Sequence, residues 1–152
     1  MFLRRIRNGK GKTYIVSKIF IDTNILVYTV DRNDKKKLSH ARKLLENVIA
    51  KDIPVISTQV LQEFYSATTT KLKLDKIIAK NIIHNFRNIE IVQVDLGIIE
   101  QGIDISILSQ ISFWDGLIIA AAEHANCNMI YSEDLNDSQT IRGIKIVNPF
   151  KQ

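Results

Sequence analysis

The chain has 152 residues, 45% hydrophobic and 24% charged, which suffices for one domain with a substantial core and argues against wholesale disorder. Its single cysteine, Cys127, excludes an internal disulfide framework and suits a reducing cytoplasm. The formal net charge of +5 is lopsided, because residues 1–18 carry Arg4, Arg5, Arg7, Lys10, Lys12 and Lys18 and no acid, leaving residues 19–152 at −1.

Residues 1–17 therefore read as a basic leader, disordered or a non-native start, and residues 18–152 as the folded domain. The leader is either an arm that touches phosphates or an extension incidental to the fold; its glycine- and lysine-rich composition favours the extension. Tyr14-Ile15-Val16 is too short for a secretory apolar segment. No apolar run approaches the ~20 residues that cross a bilayer, so no membrane role is expected.

From Lys18 onward, short β-branched runs alternate with longer helical patterns. Ile19-Phe20-Ile21 reads as a buried strand, followed by a short helix over 24–30 and an amphipathic helix over 38–50. Pro54-Val55-Ile56 is a second strand, with Ser57 capping a helix from 58 to about 72. Asp75 opens a helix reaching Phe86, residues 89–94 form a strand, and Asp95 caps a helical stretch to about Leu108. Ser112 opens a helix over 113–125, and Met129-Ile130-Tyr131 and Ile144–Val147 read as strands. This alternation predicts an α/β sandwich with a mainly parallel central sheet flanked by helices.

Sites in such sheets form beyond the carboxyl ends of the strands. Asp22 stands at one such end, inside the apolar run KIFIDTNILVY, and Glu133 and Asp134 follow another. Glu63 falls at the margin of an apolar helix face, and Asp115 in the first turn of a helix, where the dipole favours its ionised form. The residues alone leave two readings open. Either Asp22, Glu63, Asp115 and Asp134 converge, or they are separate caps and surface charges.

Convergence would be costly, since two carboxylates ~4 Å apart repel by about 4 kcal/mol at an effective dielectric of 20. Such a group takes up protons or recruits cations, and an all-oxygen set suits Mg²⁺ or Mn²⁺. Zinc lacks a ligand cluster, because His40, His84 and His124 are scattered and read as helix-surface residues. Neither a G-x-x-x-x-G-K-S/T phosphate loop nor a G-x-G-x-x-G turn is present, and Ser112 and Ser132 have no nearby histidine to make either a nucleophile.

The segments FIDTNILVY (20–28), STQVLQEF (57–64), SFWDGLIIAAA (112–122), YSEDL (131–135) and IVNPF (146–150) resemble, in order, those of PIN-domain proteins of the VapC ribonuclease-toxin type. The resemblance covers residues 18–150 and implies a PIN-like three-layer sandwich. It implies that Asp22, Glu63, Asp115 and Asp134 bind Mg²⁺ or Mn²⁺ and hydrolyse single-stranded RNA, with Thr23, Asn24 and Ser132 as supporting polar residues. It further implies a cognate antitoxin and a homodimer, with the helices 38–50, 58–72 and 75–86 as the contact arms. Glu133 is expected to point away from Asp134, and Asp137 to be a surface or capping acid. The competing expectations are a housekeeping PIN nuclease in RNA processing, a non-catalytic RNA- or protein-binding domain of the same fold, and a phosphoacceptor built on Asp22. The last lacks an evident partnering lysine.

Overall fold

The computed structural model describes residues 4–7, 9–11 and 13–151, with 4–7 and 14 described by backbone alone. Its centre is a six-stranded sheet built from β3 (Lys18–Ile21), β4 (Ile53–Ser57), β5 (Glu90–Val92), β6 (Met129–Tyr131), β7 (Thr140–Ile141) and β8 (Ile144–Val147). Strand order is β5-β4-β3-β6-β8-β7, with every pairing parallel except β7 with β8. The helices α1 (Thr23–Tyr28), α2 (Lys35–Lys51), α3 (Thr58–Thr70), α4 (Lys76–Asn85), α5 (Leu96–Ser109) and α6 (Phe113–His124) flank it in a three-layer α/β arrangement.

The expected strands and helices are all present, with ends shifted by a few residues. Each helix starts on an acid or hydroxyl that takes up an otherwise orphaned backbone N–H. Asp34 accepts from Lys37 N, Ser57 from Val60 N, Asp75 from Ile77 N and Ile78 N, Asp95 from Ile98 N, and Ser112 from Asp115 N. These caps fix where each helix begins relative to the strand before it.

Three strands were not expected. Thr140–Ile141 is too short to register as a strand, yet Ile141 pairs with Ile144 across Arg142 and Gly143. Both turn residues have positive φ, +54° and +77°, the geometry of a tight hairpin. In the leader, expected to lack structure, β1 (Arg4–Arg7) pairs antiparallel with β2 (Thr13–Val16) in a sheet of its own. A basic, glycine-interrupted stretch gives no alternating apolar signal, so backbone pairing there leaves no trace in the sequence pattern.

The core lies on both sides of the sheet. Phe20, Ile21, Val55, Ile56, Ile130 and Ile146 are fully enclosed, and α6 is buried continuously from Gly116 to Ala122. Gly116 is required for that burial. A Cβ there would stand 2.3 Å from the Gly102 carbonyl oxygen, so α5 and α6 touch backbone to backbone just after Asp115. Among the described residues no single helix is long and apolar enough to cross a membrane.

The chain passes from β3 to β4 and β5 on one side, then returns to β6 on the other. The carboxyl ends of β3 and β6 are thus neighbours where the winding reverses, the position at which open parallel sheets form their crevices.

Candidate active site

Asp22 follows β3 directly, and its backbone N–H continues the ladder to Tyr131 O at 2.9 Å. Only 7% of the residue is exposed. Its Oδ1 accepts from Thr23 N at 2.7 Å and its Oδ2 from Ser132 Oγ at 2.6 Å. Asp22 is therefore the N-cap of α1, as the simple reading had it, but an atypical one. A capping oxygen ordinarily meets the second or third N–H of the helix, whereas this one reaches only the first. Burial pushes the carboxyl up from 3.8 to about 6, against the hydrogen bonds of Ser132 and Thr23, with Glu63 and Asp134 pushing it further up.

Glu63 reaches the same region from α3, and both of its oxygens are held. Oε2 accepts from Thr23 Oγ1 at 2.7 Å, and Oε1 accepts from Gln59 Nε2 at 2.8 Å. Asp115, half-buried in the first turn of α6, also has a raised pKa. Burial is the main cause, Ser112 opposes it by hydrogen bonding, and Asp134 and Glu63 add to it. Asp134 is exposed and lines a cavity of about 440 Å³ together with Thr23, Asn24 and Glu63. Acids from four separate elements thus act on one another electrostatically, which scattered caps would not do. The ion pairs Lys18–Glu90, Lys37–Glu133 and Arg142–Glu123 engage other acids.

The supporting residues have distinct tasks. Ser132, fully buried, donates to Asp22 and accepts from the backbone N–H of Asp134 and Leu135 at 3.2 and 3.3 Å, tying the loop after β6 to the end of β3. Asn24 Oδ1 accepts from Glu133 N at 3.3 Å, while its buried Nδ2 has no hydrogen-bond partner among the described residues. Glu133 turns away from Asp134 to Lys37 Nζ at 2.8 Å and Tyr28 Oη at 2.9 Å. Asp137 caps the carboxyl-terminal segment by accepting from Asn148 N at 2.7 Å.

Sequence reasoning missed Gln59 and Lys37. Gln59 is 6% exposed and spans from Glu63 to the Trp114 carbonyl, linking α3 to the start of α6. Its i, i+4 spacing to Glu63 was the available signal. Lys37 sits 4.5 Å above the centre of the Tyr28 ring while it pairs with Glu133, so it anchors the loop carrying Asp134 to α1 and α2. Nothing in the spacing marks it, because its partner lies 96 residues away.

Among the described residues no three His, Cys, Asp or Glu side chains are gathered tightly enough to cage a metal ion. The acids that act on one another electrostatically here offer hard carboxylate oxygens, and Cys127 is buried in the core. That donor set does not fit zinc. It fits a Mg²⁺-like ion, which usually binds through one or two carboxylates and keeps several waters.

A family model described as the PIN domain matches residues 19–140. Sequence comparison with curated proteins returns no match. Among solved structures, the chain is similar to the sarcin–ricin loop cleaving toxin VapC20 of Mycobacterium tuberculosis, with a TM-score of 0.63, 18% identity, and 76% of this chain and 89% of that one covered. It is also similar to a chain of a toxin–antitoxin complex from Klebsiella pneumoniae, with a TM-score of 0.64, 18% identity, and 87% and 98% covered. A third is VapBC2 from Rickettsia felis bound to a promoter DNA fragment, with a TM-score of 0.61, 18% identity, and 85% and 96% covered. At these identities the structural likeness speaks for the fold, and the family match spans most of the chain. The chain belongs to the PIN-domain family.

Proposed function

We propose that the protein is a divalent-metal-dependent endoribonuclease that hydrolyses single-stranded RNA, and that it is the toxin of a type II toxin–antitoxin pair. One observation supports the chemistry above the others: Asp22, Glu63, Asp115 and Asp134 come from separate elements at the edge where the sheet reverses, and burial, with the charges of Glu63 and Asp134 added to it, raises the proton affinity of Asp22 and Asp115. A buried acid kept at that cost, whose hydrogen-bond partners among the described residues are the Thr23 N–H and the Ser132 hydroxyl, is suited to a bound cation. Mg²⁺ or Mn²⁺ held by these four carboxylates would neutralise phosphodiester charge and lower the pKa of a bound water.

The protein's own contribution is positional. Ser132 and the Thr23 backbone fix the plane of the Asp22 carboxylate, and Thr23 Oγ1 and Gln59 fix Glu63. Asp134 and Asp115 would complete the anionic set that holds the ion. Such outer partners typically alter metal affinity or activity by 10–100-fold when removed.

The toxin role rests on family membership and on the toxin and toxin–antitoxin structures the chain resembles. A cognate antitoxin and a second copy are its partners. Exposed Tyr65 on α3, Ile77 and Ile78 on α4, and Ile107 and Leu108 on α5 fit contact with protein. The free thiol of Cys127 fits the cytoplasm.

Incubating the purified protein with labelled single-stranded RNA in Mg²⁺ or Mn²⁺ tests the activity. Cleavage that a chelator abolishes, and that the product of a small adjacent gene inhibits, is the expected result. Intact RNA with either metal would overturn the enzyme. Cleavage without any inhibiting neighbour would favour the housekeeping nuclease.

A further inference from the structure

The cavity at the acids does not end there. It runs as a groove between α1 and α3, from Glu63 and Asp134 at one end to Lys71 at the other. Along α3 its wall is Glu63, Ser66, Ala67, Thr70 and Lys71, the i, i+3, i+4, i+7, i+8 positions of one helix face. Val27 and Tyr28 of α1 form the facing wall. Eight residues of helix separate the two ends by about 12 Å.

The groove is polarised. Its acids are at the end next to Asp22, and Lys71 is the one basic side chain among its described lining residues. Between them lie the exposed Ser66 hydroxyl and the apolar surface of Val27 and Ala67. An extended strand with alternating anionic and apolar parts matches this order. One phosphate would sit at the acids with their ion, a sugar and base would lie over the apolar floor, and a further phosphate would reach the ammonium group.

Resting on the ribonuclease reading above, we infer that the α1–α3 groove carries the RNA strand on one side of the scissile phosphate, and that Lys71 binds a flanking phosphate. The ordinary alternative is that Lys71, at the carboxyl end of α3, only complements the helix dipole. The two differ in a measurable way. A dipole partner affects folding, whereas a phosphate ligand affects substrate affinity and its dependence on salt.

The experiment compares wild type, Lys71→Gln and Lys71→Arg on single-stranded oligoribonucleotides shortened stepwise from either end. Lys71→Gln is expected to raise KM by several-fold, and to flatten the slope of log kcat/KM against log salt by about 0.7, one phosphate's worth for a single strand. Lys71→Arg is expected to restore most of the affinity. Once the substrate is too short on one side to reach the groove's far end, wild type and Lys71→Gln should converge. Unchanged KM and salt slope in Lys71→Gln, or equal sensitivity at every substrate length, would overturn the assignment. If wild type cuts no RNA, the ribonuclease reading fails separately. Fluorescence anisotropy with a labelled single-stranded oligoribonucleotide then decides the groove: Lys71→Gln must weaken binding with the same flattening, or the inference falls.

Discussion

Thr23 Oγ1 donates to Glu63 Oε2 at 2.7 Å, joining residues 40 apart in sequence and locking the first turn of α1 to the middle of α3. The same threonine gives its backbone N–H to Asp22, so one residue orients two of the four acids. Thr23→Val keeps the shape and removes the hydroxyl. Glu63 then retains only its Gln59 contact. Cleavage should fall by about 10–100-fold, with a stability change of about 1 kcal/mol. Kinetics alongside a Mg²⁺ titration would check this, and wild-type kinetics with a wild-type titration would refute the positioning role.

Gly116→Ala tests how Asp115 is delivered. The added carbon would meet the Gly102 carbonyl oxygen at 2.3 Å, and that oxygen is backbone and cannot rotate aside, so α5 and α6 must separate. Overpacking of this kind costs about 1–3 kcal/mol, partly offset by the better helix propensity of alanine, ~1 kcal/mol. A fall of several degrees in melting temperature is expected, together with reduced cleavage as Asp115 shifts. An equal or higher melting temperature would contradict the close helix contact.

Much of this was legible beforehand because the relevant signals are local. Ser57, Asp75, Asp95 and Ser112 cap helices through bonds within a few residues, so capping chemistry and apolar period fix those elements. Family resemblance supplied the four acids, which spacing alone left open between a site and separate caps. The Lys37–Glu133 pair and the Gln59 bridge to Trp114 were illegible because each depends on how distant segments pack. The β1–β2 pairing was hidden for another reason: backbone hydrogen bonds form it, and those do not depend on an apolar pattern.

The leader provides a third prediction. Ser17 is tied to the body through Asp52 Oδ1, Ile53 N and Asn128 Nδ2 at 3.1, 2.9 and 3.2 Å. The β1–β2 hairpin before it belongs to a separate sheet. Removing residues 1–16 should leave the melting temperature and the cleavage rate close to those of the full chain. A marked, salt-sensitive loss of RNA affinity would instead make the leader a phosphate-binding arm.

The pH dependence of the metal-free protein follows from Asp22. Its folded pKa, about 6, lies above its ordinary 3.8, so the stability it contributes is fully present below the ordinary value and is lost as pH rises through about 6. A raise of that size corresponds to at most about 3 kcal/mol. Asp115 shifts in the same direction. Urea unfolding in chelator from pH 4 to 8 should show wild type losing stability relative to Asp22→Asn over this window. Parallel profiles would mean that Asp22 carries no such burden.

Asp22→Asn also tests the site as a whole, when melting with and without Mg²⁺ or Mn²⁺ is measured beside cleavage of single-stranded RNA. The substitution keeps the size of the side chain and removes one charge from the acid patch. Without metal at neutral pH the variant should be as stable as wild type or more so, because the desolvation cost of a buried carboxylate disappears, and with it a smaller like-charge cost. With metal it should gain less stability than wild type and lose most cleavage. A pure cap predicts otherwise, since asparagine caps nearly as well as aspartate and neither quantity would change. Loss of metal stabilisation and cleavage together is the predicted result. Wild-type metal stabilisation and wild-type cleavage in Asp22→Asn would contradict the metal-dependent nuclease.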